Sequence, residues 1–335
     1  MNPKRWTALI IALVLFVVSI GVNTVIFALK TTISANADAI IEEQSQKAPT
    51  KVMLAGDASK KIAYLKVDGT IQNVETGAFA IGYNHKNFLA QLEAVKNDDT
   101  IKGVVLYVNS PGGGVIESAE IRKKIIEMKE ARDIPVYVTM GAMAASGGYY
   151  ISAPADKIFA MQETITGSIG VIMQTINYQE LAKKIGVRYE NFQSGEHKDM
   201  LSPMRQVTPE ERAMMQEMIN ESYETFVDII EEGRGMKEAD VKKVADGRIM
   251  SGTQAIKAGL VDEIADSEQV IKAMRTDFDL QDAQVIEFTD PATNWRSLFG
   301  MKAAEVFGPS LEERFMMKML TNHNTPQMMY LYGDN

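Results

Sequence analysis

The chain contains no cysteine. That absence removes disulfides, thiolate zinc sites and a cysteine nucleophile together. Histidine is almost as scarce: His85, His197 and His323 are dispersed along the chain, so no imidazole-rich metal centre is expected. Basic blocks are missing beyond the N-terminus, and 35 Lys and Arg stand against 44 Asp and Glu for a net charge of -9. A nucleic-acid partner requires the opposite balance, so none is expected. Disorder throughout is excluded as well, because 46% of the 335 residues are hydrophobic and only 24% charged.

What is present begins at the N-terminus. After Lys4 and Arg5, residues 7–29 read TALIIALVLFVVSIGVNTVIFAL, uncharged and long enough to cross a bilayer as a helix. The basic flank, residues 1–6, then stays in the cytoplasm, which makes a single-pass protein of the cell membrane with the rest of the chain extracytoplasmic. A cleaved signal peptide is the competing reading, since SANADA at 34–39 holds a small-x-small site. The apolar run is longer than an ordinary signal core, which favours an uncleaved anchor. Residues 30–60 read as a polar tether, 61–290 as one domain and 291–335 as a C-terminal extension.

From residue 61 strands and helices alternate. KIAYLKVDG reads as a strand, and NFLAQLEAVKND carries Phe88, Leu89, Leu92 and Val95 at helical spacing. GVVLYVN at 103–109 is the continuous apolar run of a strand buried on both faces. Val115, Ile121, Ile125 and Met128 predict a helix over 115–131, and PVYVTM another buried strand. KIFA and TGSIGVI read as short strands or turns, YQELAKKIG as a helix closed by its glycine, and VRYENF as a strand. Thr208, Pro209 and Glu211 spell a capping box with a first-turn proline, predicting a helix to about residue 231. This order implies a layered α/β core. The extension adds the Met-rich LEERFMMKML and the end TPQMMYLYGDN, suited to plain packing or to adaptable contact with a partner or peptide.

Two loops carry candidate chemistry. In MGAMAASGGYYISA, 140–153, Ser146 stands among Ala144, Ala145, Gly147 and Gly148 at the end of an apolar strand. Small residues there serve either close helix packing or a nucleophile with room for a carbonyl beside it. NSPGGG, 109–114, follows a buried strand and opens a helix, so its backbone N–H groups form a natural anion cradle. A phosphate loop is the rival reading, but its lysine and hydroxyl are absent and GxGxxG spacing is not met. Two strand ends in one sheet can set a serine and N–H donors around one carbonyl.

YVNSPGGGVIES, GAMAASGGYYISAPAD, TGSIGV at 166–171 and ADGRIMSGTQAIKAGLVDEI at 245–264 together closely resemble the signal peptide peptidase A family, membrane-anchored serine proteases of the ClpP/crotonase superfold. The likeness runs from about residue 61 to 275. It implies a layered core of repeated β-β-α units, Ser146 as nucleophile, Lys198 in SGEHKDM as general base, Gly113 and Gly147 as oxyanion donors, and Ser168 as a hydroxyl that helps hold the lysine. It implies hydrolysis of hydrophobic peptides such as released signal peptides, with neither metal nor cofactor. Doubled-length members divide the lysine and serine between two core copies, and this chain carries one copy. A homo-oligomeric ring with sites shared between subunits follows as the expectation.

The bare pattern treats Lys198, between His197 and Asp199, as a polar loop residue, and His197 offers a Ser-His-Asp arrangement instead. An ordinary lysine, with a pKa of roughly 10.4, is protonated at neutral pH and serves as a base only when its surroundings release the neutral amine. Walls of Ala, Gly and Met predict small or aliphatic residues before the cut. A crotonase-type acyl-CoA enzyme and a non-catalytic membrane scaffold of the same fold are the alternatives.

Overall fold

The computed structural model describes residues 49–73, 83–289 and 328–331. The anchor at 7–29, most of the tether and the Met-rich stretch before residue 321 lie outside the described residues. Among the described residues no helix is long and apolar enough to cross a membrane.

Strands β1 (Thr50–Leu54) and β2 (Asp57–Asp68) open the described chain, so residues 50–60, read from sequence as tether, already belong to the sheet. Then come α1 (His85–Asn97), β3 (Ile101–Ser110), β4 (Gly112–Gly114), α2 (Val115–Arg132), β5 (Val136–Ala145), α3 (Gly147–Ser152), β6 (Lys157–Ala160) and β7 (Ile165–Gly167). Helices α4 (Gln179–Lys184), α5 (Pro209–Arg234) and α6 (Glu238–Val244) follow, then β8 (Ile249–Ser251), α7 (Gly252–Lys257), β9 (Glu263–Ile264), α8 (Ser267–Asp277), β10 (Ala283–Phe288) and β11 (Met329–Leu331).

Nine strands form one sheet in the order β1-β10-β2-β3-β5-β6-β9, with β7 beside β5 and β8 beside β7. The spine is parallel, and only the β1/β10 and β7/β8 pairs run antiparallel. The continuous apolar runs have the cause expected of them, two covered faces. On β2, Ala63, Leu65 and Val67 point into the larger core with α1 and α2, while Ile62 and Tyr64 point into a second core under α8. On α2 the buried residues are Ser118, Ile121, Ile125 and Met128, the stripe that helical spacing predicts.

The capping box at Thr208 forms as expected: Thr208 Oγ1 accepts from the Glu211 amide at 3.1 Å, and Glu211 accepts from the Thr208 amide at 2.9 Å. VRYENF, in contrast, forms no strand. Residues 187–192 are exposed, and among the described residues they pair with no strand.

Helix α5 crosses the end of α3 at Gly233, where an added Cβ would overlap the Ala153 carbonyl. That close approach fixes the helix against the element that begins just after Ser146. Gly233→Ala is expected to destabilise the protein by about 1–3 kcal/mol through overpacking. Urea unfolding checks it, and an unchanged midpoint contradicts the contact.

Candidate active site

Ser146 is the single residue between the last residue of β5 and the first of α3. Its backbone is left-handed, φ 52° and ψ -115°. For a residue with a side chain this conformation costs on the order of 1–3 kcal/mol and persists only where surrounding bonds impose it. Those bonds are visible: the Ser146 amide donates to the Gly167 carbonyl at 2.8 Å, and the Ser146 carbonyl accepts from the Tyr150 amide at 2.9 Å. Ser146 is 1% exposed, and its Oγ has no hydrogen-bond partner among the described residues. A buried hydroxyl without a partner is uncommon, because its desolvation goes uncompensated.

Beside it runs the glycine strand β4. The Ile71 amide donates to Gly112 O and the Gly114 amide to Ile71 O, both at 2.8 Å. Because a strand's polar groups alternate in direction, the N–H of Gly113 faces the opposite edge. A Cβ at Gly113 would overlap the Ile71 carbonyl, so only glycine admits this wall. A Cβ built on Gly147 would lie 3.1 Å from Gly113 N, and one built on Gly112 would lie 2.6 Å from Gly147 N. The amide nitrogens of Gly113 and Gly147 thus lie near one another, and Gly147 directly follows Ser146.

The open edge of β4 is taken by the chain's own β11, antiparallel, with Tyr330 opposite Gly113. On its other side Met329 exchanges two hydrogen bonds with Ile172, at 3.0 and 3.1 Å. Residues 328–331 therefore occupy a slot between two backbone walls, as an added peptide strand would. The Tyr330 ring is fully buried, stacked on Tyr150 at 4.8 Å and tilted against Phe226 at 4.7 Å, and its hydroxyl donates to Ser222 O at 3.1 Å. The sequence reading noticed a tail suited to peptide contact but not its place; the β-prone run MMYLY was the available signal.

Ser168 also arrives at this end of the sheet. Gly167 pairs with Ala145, so the next residues, Ser168 and Ser146, leave their strands side by side. Ser168 is 7% exposed, left-handed at φ 49°, and its amide donates to the Arg248 carbonyl at 2.7 Å. The fold thus gathers Ser146, Gly113, Gly147 and Ser168.

Lys198 makes no hydrogen bond to Ser146 among the described residues, and neither does His197. Lys198 is exposed, in a turn where its amide donates to Gly195 O at 3.2 Å. The segment leading to that turn displays Ile176, Leu181, Ile185 and Phe192, the last 93% exposed.

The chain is similar to known proteins. A sequence model of peptidase family S49 matches residues 128–281, which include Ser146, Ser168 and Lys198. A protein of Enterococcus faecium provisionally named signal peptide peptidase SppA is 41% identical over 343 residues, 99% of this chain and 99% of the relative. A provisionally named protease of Methanocaldococcus jannaschii is 40% identical over 201 residues, 60% of this chain and 64% of its own. Protease 4 of Haemophilus influenzae is 34% identical over 291 residues, 81% of this chain but 46% of that longer protein. The chain belongs to peptidase family S49, the serine peptidases that include signal peptide peptidase A.

Proposed function

We propose that the protein is a membrane-bound serine endopeptidase that degrades hydrophobic peptides, such as released signal peptides, with Ser146 as nucleophile and Lys198 as general base. The observation that carries this reading is the buried Ser146 hydroxyl, unpartnered among the described residues, beside the neighbouring Gly113 and Gly147 amides and a slot in which the chain's own residues 328–331 lie as a strand. A crotonase-type acyl-CoA enzyme shares the oxyanion geometry but has no use for a strand-shaped slot. A non-catalytic scaffold leaves the strained serine without a purpose. The finer grouping of the sheet with the ClpP/crotonase superfold belongs to the same proposal.

The chemistry is that of acyl transfer. A peptide takes the place of residues 328–331 on the edge of β4 as an antiparallel strand, with the side chain before the scissile bond in the pocket that Tyr330 fills against Tyr150 and Phe226. The neutral amine of Lys198, steadied by Ser168, takes the proton of Ser146 Oγ as that oxygen bonds to the carbonyl carbon. The oxyanion is held by the two glycine amides. When the C–N bond breaks, the lysine's proton passes to the leaving amine. Water activated by the same lysine then frees the acid from the serine.

The exposed apolar segment bearing Lys198 supports a homo-oligomeric ring in which the lysine of one subunit meets Ser146 of its neighbour. Full-length Ser146→Ala and Lys198→Ala proteins are each expected to lose about 10³-fold or more in hydrolysis of a peptide with an aromatic residue before the cut. Mixed under subunit exchange, they should regain part of it, because some interfaces recover both side chains. Co-assembled subunits with no recovery contradict the shared site, and turnover surviving Lys198→Ala contradicts the base.

We also propose that residues 7–29 anchor the chain once, with residues 1–6 in the cytoplasm and the domain from 61 to 290 outside the membrane, joined by the tether at 30–60 and followed by the extension at 291–335. Added protease should digest the domain in intact spheroplasts. Digestion only after lysis contradicts this orientation.

A further inference from the structure

Next to Lys198 in sequence lies an ion cluster to which the mechanism above gives no task. Arg205 Nε donates to Asp199 Oδ2 at 2.9 Å and Nη2 to Oδ1 at 2.7 Å. The same guanidinium reaches Glu211, Nη1 to Oε2 at 2.8 Å and Nη2 to Oε1 at 2.5 Å, and Nη1 also donates to Gln206 O at 3.0 Å. The carboxylates are shielded, with side chains 13% exposed for Asp199 and 2% for Glu211. Glu211 is itself fixed in the capping box of α5. A chain of bonds therefore runs from the rigid start of a 26-residue helix through Glu211 and Arg205 to Asp199, the residue after Lys198.

The charge placement has a chemical consequence. A lysine serves as a base only as the neutral amine, and a free carboxylate within about 4–6 Å favours the ammonium instead. Asp199 is the carboxylate next to Lys198 in the chain. Here both of its oxygens are engaged by the Arg205 fork, and the side chains of Asn191 and Gln193 also face it. The remaining titratable groups of the turn are Glu196 and His197, with Arg205 and Glu211 facing from the α5 side. The Arg205 hydrogen bonds hold Asp199 well below the usual carboxylate range and bring Glu211 to about 2, so the cluster stays ionised at neutral pH.

We propose that Arg205 is a positioning residue for the reaction: it pins the Lys198 turn to the start of α5 and keeps the Asp199 carboxylate from pairing with the Lys198 amine. The inference rests on Lys198 being the general base. It assigns the arginine a role that the sequence pattern, in which Arg205 is one charge in a loop, does not reveal.

The test is the pH dependence of peptide hydrolysis by the assembled full-length protein. Arg205→Gln should lower kcat at neutral pH about tenfold and move the acid limb of kcat/KM by about one pH unit to the alkaline side, with KM nearly unchanged. Arg205→Lys keeps the charge but loses the fork, and should shift the limb in the same direction by less. The double variant Arg205→Gln, Asp199→Asn should return the limb to its wild-type position, since the competing carboxylate is gone. A kcat loss in Arg205→Gln or Arg205→Lys without a shifted limb, or a double variant whose limb stays displaced, overturns the proposal and leaves only a structural clamp. Should Arg205→Gln fail to fold, the Arg205→Lys profile decides, and an unshifted limb there also overturns it. Lys198→Ala measured in parallel separates the two ideas. If it retains turnover the base assignment fails, whereas an inactive Lys198→Ala beside an unshifted Arg205 variant removes only the role of Arg205.

Discussion

The site depends on one strained residue. Ser146 sits in a left-handed conformation because its amide is bound to Gly167 and its carbonyl begins the hydrogen bonding of α3. Those two bonds tie together β5, β7 and the helix, and they leave the hydroxyl buried with no partner among the described residues. Around it the chain uses glycine where side chains would close the site. At Gly113 a Cβ would overlap the Ile71 carbonyl, and the Gly147 amide is brought beside that of Gly113. The strain and the uncompensated hydroxyl are stability costs that the two-sided core offsets.

The second half of the chemistry is held differently. Ser146 is fixed by the sheet, while Lys198 is carried on an exposed turn whose approach shows Ile185 and Phe192 to solvent. One segment thus combines exposed apolar side chains with the lysine proposed as the base. In the proposed assembly of copies a neighbour would cover the first and supply a serine to the second, and the Arg205 clamp to α5 gives the turn a defined shape.

Much of this was legible in the sequence because it follows from local rules. The runs at 103–109 and 136–140 read as buried strands, since a sheet covered on both faces demands apolar residues at every position. Thr208 and Glu211 announced the start of α5 through cap chemistry alone. The small residues around Ser146 and the SPGGG loop marked the two strand ends that meet. Other features depend on contacts that no local pattern encodes. VRYENF alternates like a strand but has no edge to join. Tyr330 reaches the glycine strand across more than 200 residues of sequence, and Arg205 differs from any loop arginine only by the two carboxylates it meets.

The central claim is that the partnerless hydroxyl of Ser146 is a nucleophile. A fluorophosphonate probe incubated with the intact protein, followed by peptide mapping of the modified residue, tests it most directly. The account predicts one covalent adduct, on the peptide containing Ser146, and its loss in Lys198→Ala. Labelling at another serine, or none in protein that hydrolyses peptides, would contradict it.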